Sequence, residues 1–234
     1  MTDRTPQHAL VIASGGLDST AVAYLLAAKG SRVSLLSFDY GQRHRKELEY
    51  AARTAHQLDA AHEVVDLTSV GRLLGGSALT DPSITVPDGH YSDQSMRITV
   101  VPNRNTILLS IAVGAAVAAK ADAVAFGAHS GDHTVYPDCR PEFFAQMAEA
   151  IRVANAGFLA DDFLLLAPFL HASKADIVRR AAELDVPFAL TWSCYKGDKI
   201  HCGSCGTCRE RQEAFILAGI TDPTEYATPY EVTR

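Results

Sequence analysis

The sequence predicts an α/β fold: an open, doubly wound parallel sheet followed by a small C-terminal appendage built on four cysteines. Three observations carry that prediction. Short apolar runs alternate with helical stretches as βαβαβ up to Leu67, a Ser-Gly-Gly turn joins the first run to the first helix, and Cys194, Cys202, Cys205 and Cys208 follow the last strand-like run with seven, two and two residues between them. A length of 234 residues suits one large domain with a remainder, at about 150 residues per domain. We read residues 1–190 as the sheet domain, 68–101 as a lid or excursion from it, and 191–234 as the cysteine-bearing region.

Ala9 to Ala13 is apolar enough for a buried strand, and helical spacing through Val22, Leu25 and Leu26 then runs to a stop at Gly30. Val33 to Phe38 and His62 to Leu67 are further strands, with an amphipathic helix from Arg45 to Leu58 between them. Thr68 to Val101 lacks periodicity and carries Gly75-Gly76, Asp81-Pro82 and Pro87-Asp88-Gly89, hence the excursion. Regular structure resumes with a helix from Asn105 to Lys120, a strand from Ala123 to Gly127, a helix opened by Pro141 and a short strand at Leu164 to Leu166. Ser173-Lys174-Ala175-Asp176 has capping-box spacing ahead of Ile177, Ala181 and Leu184, and a last helix spans Arg209 to Ala218.

Twenty-one basic residues against 27 acidic leave a net charge of −6, which opposes the broad attraction that non-specific nucleic-acid binding relies on. The most apolar run, Ile107 to Ala119, holds Ser110 and is too short to cross about 30 Å of hydrocarbon. With no apolar leader before the first strand, a cytoplasmic chain without a membrane partner is expected. A chain of this size buries roughly 70% of its extended surface, so its five cysteines are not needed as staples. Their odd number points to metal or chemistry in a reducing compartment.

Ser14-Gly15-Gly16-Leu17-Asp18-Ser19-Thr20 lies where an open α/β sheet places its ligand crevice and where a helix N-terminus attracts phosphate. It is neither GxxxxGK[ST] nor GxGxxG. Glycines that let backbone N–H groups approach, with hydroxyls from Ser14, Ser19 and Thr20, suit a pyrophosphate cradle, and Asp18 suits Mg²⁺ held on the phosphates. In the cysteine cluster, Gly203 and Gly206 supply the tight turns that paired thiolates need. Four thiolates fit a closed, structural Zn²⁺ site with no place for catalytic water; an iron–sulfur cluster uses the same ligand set. His201 is an alternative ligand with poorer spacing. The fifth cysteine, Cys139, reads as a buried thiol in a turn or a group lining a pocket.

Ser-Gly-Gly-x-Asp-Ser resembles the PP-loop of ATP pyrophosphatases, which implies a Rossmann-like sheet of PP-loop type and ATP split between its α and β phosphates. Further strings narrow the likeness: Phe38-Asp39-Tyr40-Gly41-Gln42-Arg43-His44, Val101-Pro102-Asn103-Arg104-Asn105, Tyr136-Pro137-Asp138-Cys139-Arg140-Pro141-Glu142-Phe143 and Thr191-Trp192-Ser193-Cys194-Tyr195. Together, over Leu10 to Gly219, they resemble the 7-cyano-7-deazaguanine synthase family of queuosine and 7-deazapurine biosynthesis. That resemblance implies conversion of 7-carboxy-7-deazaguanine to the nitrile with ammonia and ATP, through an amide and two adenylations, by a homodimer.

On this chemistry, Ala13, Ser14, Gly15, Gly16, Leu17, Asp18, Ser19, Thr20 and Phe38 form the ATP site, with Phe38 against adenine. Asp18 holds Mg²⁺, Lys174 neutralises the departing diphosphate, and Arg104 binds phosphate or the substrate carboxylate bidentately. The N–H edge of the purine-like ring calls for a carboxylate from Asp132, Asp138 or Glu142, of which Asp132 and Asp138 are favoured, and Arg43 and His44 complete the substrate set. Each also has an ordinary structural reading: a first-turn lysine, a loop salt bridge, turn acids, a solvated helix start, a core phenylalanine. Gly127-Ala128-His129-Ser130-Gly131-Asp132-His133 departs from a family loop that often carries Asn, Ala and Glu before the Asp. Rival readings are a PP-loop enzyme that stops at the amide or modifies tRNA or protein, and a non-enzymatic zinc module binding RNA through Arg209 and Arg211.

Overall fold

The computed structural model describes residues 4–89, 96–197 and 199–228. Strands β1 (His8–Ile12), β2 (Arg32–Asp39), β3 (Ala61–Asp66), β4 (Ala123–Ala125) and β5 (Leu164–Leu166) form one parallel sheet in the order β3-β2-β1-β4-β5. The chain winds outward from β1 to β3, then reverses to β4 and β5 on the other side. Such a reversal leaves a crevice at the carboxyl ends of β1 and β4. This is the doubly wound parallel sheet expected from the sequence.

Helices cover both faces, which is why the strands read as apolar runs rather than alternations. Ala9 and Val11 of β1, with Ala123 and Ala125 of β4, pack under α1 (Leu17–Ala28), α6 (Lys174–Glu183) and α7 (Gly206–Ala218). Leu10 and Val124 face the opposite side, against α4 (Arg104–Ala118) and α5 (Pro141–Ala154). Helix α2 (Glu47–Gln57) adds Ala51 and Ala55 to the first layer.

Several boundaries shift by one to three residues from expectation, three of them for reasons visible in the structure. Strand β4 stops at Ala125 rather than Gly127, because Gly127 lies against the start of α1: a Cβ there would sit 3.0 Å from Ser19 N and 3.1 Å from Asp18 C. Helix α4 opens at Arg104 from a left-handed Asn103 (φ 58°). Helix α7 begins at Gly206 rather than Arg209, since Cys205 takes the extended N-cap conformation and puts Cys208 inside the first turn.

Within the excursion, α3 (Thr68–Gly71) follows β3, and Ala78, Leu79 and Val86 are buried. Ala78 and Val86 pack with Trp192 and the four cysteines. Arg43 N–H donates to Leu79 O (2.8 Å) and Gly89 N–H to Ser204 O (2.8 Å). Residues 90–95 of this segment, like 198 and 229–234 of the C-terminal region, lie outside the described residues. After α7, Asp222 and Tyr226 fold back onto the cysteine region, and Thr228 N–H donates to Cys202 O (3.1 Å).

Candidate active site

The glycine loop owes its shape to α2. Gly15 has φ +75°, and a Cβ there would collide with Glu47 O and approach Ala51 N, so a side chain is excluded both by conformation and by space. Gly16 then starts α1 in extended conformation, with no side chain capping the helix among the described residues, which leaves its first N–H groups available to an anion. Ser14 and Ser19 brace the loop: Ser19 Oγ accepts from Ser14 N (3.2 Å) and donates to Gly16 O (3.3 Å). Trp192 N–H reaches across to Gly15 O (2.8 Å) and seats the C-terminal segment on this loop.

These groups border a crevice of about 1180 Å³ of open space, including its mouth. At its floor, five charged or titratable side chains from four segments converge. Lys174 is the first residue of α6, held there by the capping box in which Ser173 Oγ accepts from Asp176 N (3.2 Å) and Asp176 Oδ2 from Ser173 N (3.0 Å). Its Nζ lies 2.6 Å from Asp18 Oδ2 and 3.6 Å from Glu210 Oε2. Burial works against the lysine's charge, but Asp18 and Glu210 lift its pKa well above the usual range. Burial also raises Asp18, yet Lys174 and His129 outweigh it and hold this carboxyl below the usual carboxylate range. The other oxygen, Asp18 Oδ1, is buried without a hydrogen-bond partner among the described residues.

His129 is buried, and its Nδ1 accepts from Gly131 N (3.1 Å). Its Nε2 therefore carries the proton in the neutral ring, and lies 3.6 Å from Asp132 Oδ2 and 4.0 Å from both Asp18 Oδ2 and Glu210 Oε1. Burial first, and Lys174 next, depress its pKa. Burial pushes Asp132 up to about 6, with Lys174 opposing and Asp18 adding to the rise.

A second end of the crevice is aromatic. Arg104 lies beside Tyr40, whose phenol burial pushes up to about 12, and the phenols of Tyr195 and Tyr136 lie close by. Among the described residues no carboxylate reaches Arg104 within ion-pair distance. Phe38 and His44 line the wall here, and His44 packs against the Tyr195 ring (5.0 Å between centroids).

Of the expected site residues, Ala13, Ser14, Gly16, Leu17, Asp18, Ser19, Phe38, His44, Arg104, Asp132 and Lys174 border this one crevice. Others turn elsewhere. Thr20 is buried behind the loop, its Oγ1 3.4 Å from Thr54 Oγ1. Arg43 ties down the excursion through Asp81 O (3.0 Å) and Ile84 O (2.9 Å). Asp138 Oδ2 accepts from Asn105 N (3.0 Å) at the start of α4, and Glu142 is exposed on the first turn of α5. Cys139 lines the crevice and accepts from Asn105 Nδ2 (3.1 Å); burial pushes its thiol far up, away from nucleophile chemistry. Two contributors carried little signal. His129 sits in the loop after the fourth strand, where a switch-point crevice expects ligand groups, and Glu210 is simply two residues beyond the last cysteine.

The four cysteine sulfurs are buried and lie within 4.8 Å of one another, so they can hold a metal ion. Backbone N–H groups of Cys205 (3.2 Å) and Ser204 (3.4 Å) donate to Cys202 Sγ, and that of Cys202 (3.4 Å) to Cys194 Sγ, the pattern that stabilises thiolates. His201 is not free to join: its Nε2 accepts from Ser193 N (3.0 Å). Arg211 is fully buried, paired with Asp222 (3.0 Å) and bonded to Thr191 Oγ1 (2.6 Å), so it offers nothing to an RNA surface.

The sequence is similar to known proteins over most of its length. The family model described as "Queuosine biosynthesis protein QueC" covers residues 8–219. A protein of Mesorhizobium japonicum named 7-cyano-7-deazaguanine synthase 1 is 58% identical over 219 residues, spanning 94% of this chain and 93% of its own. Proteins named 7-cyano-7-deazaguanine synthase from Allorhizobium ampelinum and Rhizobium meliloti are 55% and 56% identical, each over 94% of this chain and 92% of theirs. The chain belongs to the family of the queuosine biosynthesis protein QueC.

Proposed function

We propose that this protein converts 7-carboxy-7-deazaguanine, ammonia and ATP to 7-cyano-7-deazaguanine, with AMP and diphosphate released in each of two cycles. The observation that carries the reading is Asp18 Oδ1, a buried acceptor without a partner, beside Lys174 at the end of an uncapped helix N-terminus. A lone buried carboxylate oxygen is costly, and a magnesium ion carried on ATP is the hard cation that suits it. Bound there, magnesium would offset phosphate charge.

The chain's own groups supply the rest. The loop from Ala13 to Ser19 and the first N–H groups of α1 bind the phosphates, Phe38 flanks adenine, and Lys174 neutralises the departing diphosphate. Arg104, ringed by phenols, clamps the substrate carboxylate, and Asp132 accepts from the N–H edge of the ring. The carboxylate oxygen attacks the α-phosphorus, so that oxygen leaves later as AMP rather than as hydroxide. Ammonia then displaces AMP to give the amide. In the second cycle the amide oxygen is adenylated in turn, and loss of AMP with the remaining N–H protons yields the nitrile.

The four thiolates would hold zinc as a closed structural site, since every ligand position is a sulfur and none is left for substrate. That supports residues 191–234 as a metal-pinned region on an ATP-binding domain of residues 1–190. Among the described residues no helix is long and apolar enough to cross a membrane, and with five free thiols a cytoplasmic location and a homodimer complete the proposal. Incubation with the acid, ammonium, Mg²⁺ and ATP, followed by mass analysis, should show AMP together with amide and nitrile. Absence of AMP, or AMP without either product, rejects the reading.

A further inference from the structure

We propose that His44 is a catalytic residue of the carbon–nitrogen steps: its Nδ1 receives the ammonia nucleophile and takes the proton that nucleophile must lose. This rests on the reaction proposed above.

His44 is buried and lines the aromatic end of the crevice. Its Nε2 is 3.3 Å from Glu47 Oε2. Glu47 cannot swing away, because its Oε1 accepts from Gln42 Nε2 (3.0 Å), and Gln42 is itself fixed by donating to Phe38 O (2.9 Å) and accepting from Tyr40 N (2.9 Å). A carboxylate held against Nε2 selects the tautomer with the proton on Nε2, leaving Nδ1 as a bare acceptor. That Nδ1 is buried and has no hydrogen-bond partner among the described residues. Nucleophile chemistry commonly pairs a base with an orienting carboxylate in this way. Here the base lacks only the group whose proton it would accept.

The neighbourhood fits an ammonia donor. Tyr195 packs on the His44 ring, and its phenol lies near Arg104, the clamp for the substrate carboxylate. His44 thus belongs to the end of the crevice where the carbonyl carbon would lie, while Lys174 and Asp18 occupy each other at the phosphate end. In the first cycle the nitrogen lone pair forms the C–N bond, one N–H proton passes to Nδ1, and the C–O bond to AMP breaks, with AMP leaving as its anion. The imidazolium then returns its proton to solvent. In the second cycle the remaining N–H proton of the adenylated amide passes to Nδ1 as the nitrogen electrons form the nitrile and the C–O bond to AMP breaks.

The test uses the full-length, metal-loaded protein and His44→Gln. Exchange of labelled diphosphate into ATP, with acid substrate and no ammonium, reads adenylation alone and should fall by at least tenfold less than amide formation does. Amide formation with ammonium should fall by ~100-fold or more. Hydroxylamine, a stronger nucleophile that is unprotonated at neutral pH, should restore product as the hydroxamate to within about fivefold. Glu47→Gln should show the same pattern with a smaller loss. Amide formation with ammonium near the parent rate overturns the proposal, and so does equal loss of exchange, amide and hydroxamate, which would make His44 architectural. If the parent protein itself makes no amide, it is the underlying reaction that fails.

Discussion

The cysteine centre draws all its ligands from residues 194–208, and its turns are set by neighbouring backbone, with N–H groups 3.2 to 3.4 Å from the sulfurs. The crevice floor draws Asp18 from α1, His129 and Asp132 from the loop after β4, Lys174 from α6 and Glu210 from α7. One is a local object that needs few residues to close. The other exists only once the sheet has formed and both helical layers are in place. They meet in α7, which carries Cys208 in its first turn and Glu210 two residues on. The cysteine centre therefore shares a helix with one wall of the site.

Asp18→Asn separates the two most sharply. It removes the charge proposed to meet the cation and takes from Lys174 the carboxylate 2.6 Å away, so AMP release should fall by ~10³-fold or more, while metal content measured by elemental analysis stays at the parent level. Cys205→Ser, or a strong chelator, tests the link from the other side. Metal binding supplies folding free energy, so the variant should lose several kcal/mol in a denaturant titration and, because Glu210 goes with α7, also its AMP release. Full activity without metal would uncouple the two regions.

Asp132→Asn probes the cost of a half-buried charge. A carboxyl raised from 3.8 to about 6 on folding holds a proton that the unfolded chain has lost between those pH values, and above about 6 it is ionised while largely withdrawn from water. Its contribution is therefore fully present below pH about 4 and lost as pH rises through about 6. The asparagine variant should be more stable than the parent at pH 7.5 by up to about 3 kcal/mol, with the gap closing toward pH 4, while KM for the acid substrate rises. A gap that does not change with pH would remove the buried charge from the account. The smallest effect belongs to Asp138→Ala, which should cost about 1 kcal/mol through loss of a helix-start acceptor and leave KM within about twofold.

Much of the framework was legible in the chain. The βαβαβ order, the glycine turn, the capping box at Ser173 and the cysteine spacing rest on short-range rules of backbone hydrogen bonding and side-chain periodicity, and the structure reproduces them. The excursion was harder to read, because Ala78, Leu79 and Val86 are buried against Trp192, the cysteines and the α4 layer rather than along one helix or strand face of their own. Arg211 misled for the same reason: a basic residue on a helix reads as exposed until Asp222 returns to cover it. His129 and Glu210 look like ordinary loop and helix residues until the fold brings them within 4.0 Å of each other beside Asp18 and Lys174.

By itself the sequence determined a doubly wound sheet, a phosphate-type loop at its first turn and a four-thiolate centre, since each depends on residues close together along the chain. Only the tertiary structure decided which carboxylates share the crevice, that Asp138 caps α4 while Asp132 faces the floor, and that His44 keeps an unpaired nitrogen. Those outcomes depend on where helices from distant parts of the chain come to rest, and no local spacing encodes the closing distance.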